Sequence, residues 1–195
     1  MRREENDTRW DVLRTAYHEA GHAVMAWLME QKVEYASVIP GNGTLGHVNI
    51  SLGECETLLD YCRDRVMVFL AGDASELMFI EPPPEGFCEP DLWQALWHLE
   101  TIDILIRGGC DQLGIDDGIG LLKKTETPEF SGDKLHELQD VHRPEFEFFL
   151  DEAMDILYEE RVLVRVVADA LMENDALSGE QISTTIDKAV WNLES

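Results

Sequence analysis

Two histidines four residues apart, with a glutamate directly after the first, stand in the stretch RTAYHEAGHAVMAWLME at residues 14–30. On a helix such a pair lies about 40° apart around the axis and about 6 Å apart along it, so His18 and His22 project from one stripe and can grip one ion. Zinc suits them, because imidazole nitrogen is among its preferred ligands. Glu19 is offset by about 100°, near the ion but not stacked on the histidines, which is where H-E-x-x-H places a general base. Two buried histidines bonded to main-chain carbonyls would be the alternative use of the same residues.

A catalytic zinc takes three protein ligands and keeps one position open for water. The extended continuation with a third histidine is absent, since Met25 and Leu28 stand where its glycine and histidine would be. Asp73, Glu76, Asp91, His47 and His98 are the remaining candidates, and spacing does not choose among them. Asp91 also reads as a helix N-cap or first-turn acid, and Glu76 as a partner that orients a histidine ring.

Helical periodicity surrounds the motif over residues 8–31, through Ala16, Ala20, Ala23, Val24, Trp27 and Leu28. Residues 33–52 change to β-branched runs on either side of a Gly/Asn turn, a short hairpin or strand pair. A second helix is expected over 56–80, where the small residues of AGDAS let another helix come close. The proline-rich EPPPEGFCEP ends it, and a third helix starts near Asp91, with Trp93 and Trp97 spaced for core packing. The glycine-rich 107–120 reads as a loop that does not match a calcium-binding pattern. One long amphipathic helix is expected over 143–173, and a last one opens at Ser178 with a capping box to Gln181.

Forty acidic against fifteen basic residues give the 195-residue chain a net charge of −25. That field repels phosphate backbones and anionic membranes, so nucleic acid is excluded as a partner class. At 45% hydrophobic the chain can bury a sizeable core. No apolar run is long enough to span a bilayer and no signal peptide is visible, so a cytoplasmic location is expected. The four cysteines form no CxxC pair and are expected as free thiols.

AYHEAGHAVMAWLM, ASVIPGNGTLGHV, FLAGDASELMF, EPDLWQAL and LVRVVADALMENDALSGEQI, in this order, resemble the peptidase domain of the FtsH family of ATP-dependent zinc metalloproteases. The resemblance implies His18 and His22 as zinc ligands, Glu19 as the catalytic glutamate and Asp91 as the third ligand, with Glu76 in reserve. It implies a mainly α, zincin-like fold with a short β-hairpin or small sheet: one peptidase domain over 1–195, its active-site part at 8–125 and its C-terminal helical part at 126–195. The family's Gly-Gly-Arg is here Ala71, Gly72 and Asp73. The implied activity is zinc-dependent endopeptidase cleavage of peptides or unfolded polypeptides. No G-x-x-x-x-G-K-[ST] occurs, so an ATPase is expected on a separate polypeptide. A catalytically silent binding or assembly module, or a peptidase subunit active only with that ATPase, are the alternatives. The family's ring-shaped hexamers imply self-association.

Overall fold

A computed structural model describes residues 2–41, 45–51, 57–84, 86–108 and 132–194. Helices dominate, joined by one small sheet. The first helix, α1 (Arg2–Leu28), buries Ala16, Ala20, Ala23, Val24 and Met25. It ends three residues earlier than its periodicity suggests. Glu30 takes a left-handed φ of 56°, and the Gln31 N–H closes back on the Ala26 carbonyl at 2.9 Å, a six-to-one bond that stops a helix.

Strands β1 (Lys32–Ser37) and β2 (His47–Ser51) pair antiparallel, with Ala36 opposite Val48. A third strand, β3 (Ala176–Ser178), which the hairpin expectation lacked, pairs on the other side of β1 and gives the order β2-β1-β3. Only three residues long, it has too little periodicity to be recognised before its partner is known.

Helix α2 (Leu58–Phe79) is capped by Thr57, whose Oγ1 accepts the Asp60 N–H at 3.1 Å. The proline-rich segment follows, and α3 (Glu89–Ile106) starts with Cys88 as N-cap and Pro90 in its first turn. Past the undescribed stretch come α4 (Gly132–Val141), α5 (Arg143–Glu159), α6 (Arg161–Asn174) and α7 (Gly179–Glu194). Most of the glycine-rich 107–120 segment, the expected change from active-site to C-terminal part at 125/126, and two of the four cysteines, Cys55 and Cys110, lie outside the described residues.

The single helix expected over 143–173 is two. A straight helix of that span would be about 46 Å long. Instead the chain leaves helical geometry at Glu160 (φ −94°, ψ 19°), so that Ala153 and Leu157 of α5 and Val164, Val167 and Leu171 of α6 all reach one core. The capping box of the last helix forms as expected. Gln181 Oε1 accepts the Ser178 N–H at 2.8 Å, and Ser178 Oγ accepts the Gln181 N–H at 3.3 Å.

Two apolar clusters result. One gathers α1, the sheet, α5, α6 and α7. The other gathers Leu92, Leu96 and Leu99 of α3 with Leu135 and Leu138 of α4, and Trp93 and Trp97 pack against it. Helix α2 faces both, giving Met67, Val68 and Ala71 to the first and Cys62, Val66 and Leu70 to the second.

Candidate metal centre

His18 and His22 sit on the buried face of α1 against α2, and the contact is close because α2 has Gly72 there. A Cβ on Gly72 would lie 2.7 Å from His18 Nε2. The two rings stand edge to face with centroids 4.6 Å apart. Their Nε2 atoms are 3.0 Å from each other. Asp91, from the first turn of α3, brings Oδ2 to 3.0 Å from His18 Nε2 and 3.4 Å from His22 Nε2. Three ligand atoms of the types zinc prefers thus form a triangle with edges of 3.0, 3.0 and 3.4 Å. Tetrahedral zinc with ligands at 2.0–2.1 Å separates them by about 3.3 Å, so the donor set fits that ion in chemistry and in size.

The far sides of the rings are held as well. His22 Nδ1 donates to the Val68 carbonyl at 2.7 Å, which fixes its tautomer with Nε2 free to ligate. His18 Nδ1 lies 2.9 Å from Glu76 Oε1, without the alignment of a hydrogen bond, and Glu76 is itself paired with Arg14. Glu76 therefore meets the ring nitrogen opposite the one that faces Asp91. A second grouping, His18, Asp73 and Glu76, is also close enough to surround a cation.

Asp73 is buried, and its Oδ1 accepts the Cys88 N–H at 2.9 Å, pinning the residue that caps α3 to the middle of α2. This contact sets where Asp91 begins its helix. Burial pushes the Asp73 carboxyl up to about 6, against His18 and the Cys88 N–H, which lower it. Its Oδ2 has no hydrogen-bond partner among the described residues.

The electrostatics favour positive charge at the triangle. Burial opposes ionisation of Asp91, but His22 and His18 outweigh it and hold the carboxyl far below its ordinary range. Burial likewise opposes charge on His18, yet Asp91, Cys88 and Glu76 raise its pKa well above the usual value; His22 is also raised, Asp91 outweighing its burial. Glu19 is 4% exposed and belongs to neither grouping. Burial raises its pKa, partly offset by His22 and His18. A Cβ on Gly46 would lie 2.7 Å from Glu19 Oε1, so the chain just before β2 passes directly against the carboxylate.

Of the sequence candidates, His18, His22, Glu19 and Asp91 line one cleft of about 480 Å3, together with Glu76 and His47. His47 enters that cleft from β2 but is in neither grouping. His98 is elsewhere, buried against Tyr61, Phe69 and Trp97. Sequence reasoning missed the Val68 carbonyl, which carries no side-chain signal, and the Asp73–Cys88 clamp. Arg14 was findable, because it precedes His18 by four residues on the same helical stripe.

The model of peptidase family M41 matches residues 8–185. "ATP-dependent zinc metalloprotease FtsH 2" of Salinibacter ruber is 29% identical over 184 residues, 88% of this chain and 26% of that protein. "ATP-dependent zinc metalloprotease FtsH" of Nitrosococcus oceani is 30% identical, over 91% of this chain and 27% of that protein. "Mitochondrial inner membrane i-AAA protease supercomplex subunit YME1" of Saccharomyces cerevisiae is 26% identical, over 86% of this chain and 22% of that protein. The chain spans about a quarter of the length of these relatives. Among the described residues no helix is long and apolar enough to cross a membrane. With the match covering nearly the whole chain, this protein belongs to peptidase family M41.

Proposed function

We propose that the chain is a zinc-dependent endopeptidase in which His18, His22 and Asp91 hold the metal and Glu19 is the general base. The observation that carries this reading is the convergence of two Nε2 atoms and one carboxylate oxygen within 3.4 Å, with Glu19 on the same cleft. When bound, zinc supplies Lewis acidity for the scissile carbonyl and lowers the pKa of water from about 15.7 towards 7. Glu19 takes a proton from the attacking water and passes it to the leaving amine, so the amide bond is replaced by an acid and an amine. Burial supports that role by raising its pKa towards the range where a carboxylate both accepts and releases a proton.

The substrate is an extended polypeptide. Among the described residues strand β2 ends the sheet, and with Leu45 and Gly46 just before it lines the cleft as far as Ile50, so its outer edge can receive a peptide by strand addition. The names of the two FtsH relatives include "ATP-dependent", and about three quarters of their length lies beyond this match. This supports a second reading, in which folded substrates are cut only when an ATPase module feeds them to the site. Metal analysis of purified protein and cleavage of unfolded casein test the main reading. Glu19→Gln keeps zinc and loses hydrolysis, whereas Asp91→Ala loses zinc; undiminished turnover by Glu19→Gln protein refutes the general-base assignment. Stimulation by an added ATPase separates the two readings.

A further inference from the structure

The cleft beside the candidate metal centre is lined by two arginines, and among the described residues only one of them is ion-paired. Arg14 is paired with Glu76, while Arg65 of α2 forms no ion pair among the described residues. Its guanidinium carbon lies 4.3 Å from the centre of the Phe69 ring. A guanidinium held against a ring face is fixed in orientation, and its N–H donors stay available at its edge. Burial lowers the Arg65 pKa, and Tyr61 and Asp91 pull it back. Asp91 is near enough to raise it, yet the two form no ion pair among the described residues, and Asp91 turns its Oδ2 to both histidines.

We propose that Arg65 and Phe69 form a subsite for a substrate carboxylate, so that the enzyme selects peptides with an acidic side chain or a free C-terminal carboxylate beside the scissile bond. This rests on the peptidase reading of the same cleft. A carboxylate can take two parallel hydrogen bonds from the arginine fork, which Phe69 holds in place from behind. The net charge of −25 works against acidic ligands, but that field is screened within about 8–10 Å, whereas the pair acts at contact. The local cation therefore decides the preference.

The test uses alanine-rich decapeptides in which one Glu is moved residue by residue, each with a Gln control and with free or amidated C-terminus. Cleavage is read on zinc-loaded wild-type and Arg65→Gln protein. Binding of fluorescent versions is read on Glu19→Gln protein with and without Arg65→Gln. A Glu over Gln, or free acid over amide, preference of about tenfold is expected at one position, falling to about one in Arg65→Gln. Amidation identifies which carboxylate is read. Arg65→Lys, which keeps the charge and loses the fork, serves if Arg65→Gln melts early, and is expected to retain only part of the preference. Cleavage with no acidic preference at any position overturns the subsite and leaves the peptidase reading standing. Selective binding without cleavage by wild-type protein does the reverse. A preference unchanged in both arginine variants also overturns the subsite.

Discussion

Replacing Gly72 by alanine tests whether the α1–α2 contact sets the geometry of the histidine pair. The new Cβ would lie 2.5 Å from His22 Nε2 and 2.7 Å from both Cε1 and Nε2 of His18. Ordinary contact is about 3.5 Å, so rings or helices must separate by about 0.8–1.0 Å. Neither ring can yield freely, since His22 is bonded to Val68 and His18 is flanked by Asp91 and Glu76. A metal site tolerates about ±0.2 Å in its ligand distances, and losing an outer partner alone costs about 10–100-fold in affinity. Gly72→Ala should therefore weaken zinc binding by at least about 100-fold. Overall stability should fall by about 0–2 kcal/mol, because alanine gains about 1 kcal/mol of helix propensity while overpacking costs about 1–3 kcal/mol. Chelator competition gives the affinity, and melting of the metal-free protein gives the stability. Zinc at about 100 times the wild-type Kd should raise stability by about 2.7 kcal/mol in wild type and by no more than about 0.4 kcal/mol in the variant. Gly86→Ala, where a Cβ meets nothing within 4 Å, is the control. Wild-type zinc affinity in Gly72→Ala protein would refute the packing argument.

Asp73→Ala frees Cys88 and with it the start of α3, so zinc affinity should fall about 10–100-fold, whereas Asp73→Asn keeps an acceptor and should retain most of it. Equal affinities in the two variants would mean that the carboxylate charge, not the clamp, matters. Glu76→Ala should weaken zinc by about 10–100-fold without abolishing it, as suits a group behind His18, and complete loss of metal would make Glu76 a ligand. His98 is 2% exposed, and burial, reinforced by Arg65, lowers its pKa to about 3. The unfolded chain binds a proton near pH 6.5 that the native protein refuses, so stability falls by about 1.4 kcal/mol per pH unit as pH drops from there, or about 2 kcal/mol by pH 5. His98→Phe should lose this acid sensitivity in melts at pH 5 and 7.5 under chelator, and an undiminished pH difference would show that His98 is not its source.

What was legible in the sequence is what repeats along one helix. His18, Glu19 and His22 declare their relation at a spacing of one and four residues, and the capping box of α7 is equally local. Asp91 is different: 69 residues and a proline-rich break separate it from His22, so only resemblance selected it from five candidates. The contacts around the site were less visible still. Val68 contributes a main-chain oxygen, and Asp73 contributes a bond to a main-chain N–H; neither depends on periodicity. The break at Glu160 has no proline or glycine to announce it, and arises because two stretches of one amphipathic pattern must reach the same core.

The candidate centre also explains why α2, which supplies none of its three closest ligand atoms, shapes it most. His18 and His22 belong to a helix packed in one apolar cluster, and Asp91 to a helix packed in the other. Among the described residues helix α2 alone contributes buried residues to both clusters, and four of its positions around the centre do separate tasks. Val68 orients His22, Gly72 admits the rings, Asp73 anchors α3, and Glu76 backs His18. If those tasks share one rigid helix, variants at Gly72 and Asp73 should be coupled in zinc affinity by more than about 0.5 kcal/mol in a double-mutant cycle. Strict additivity of the two would show that α1 and α3 reach the metal independently.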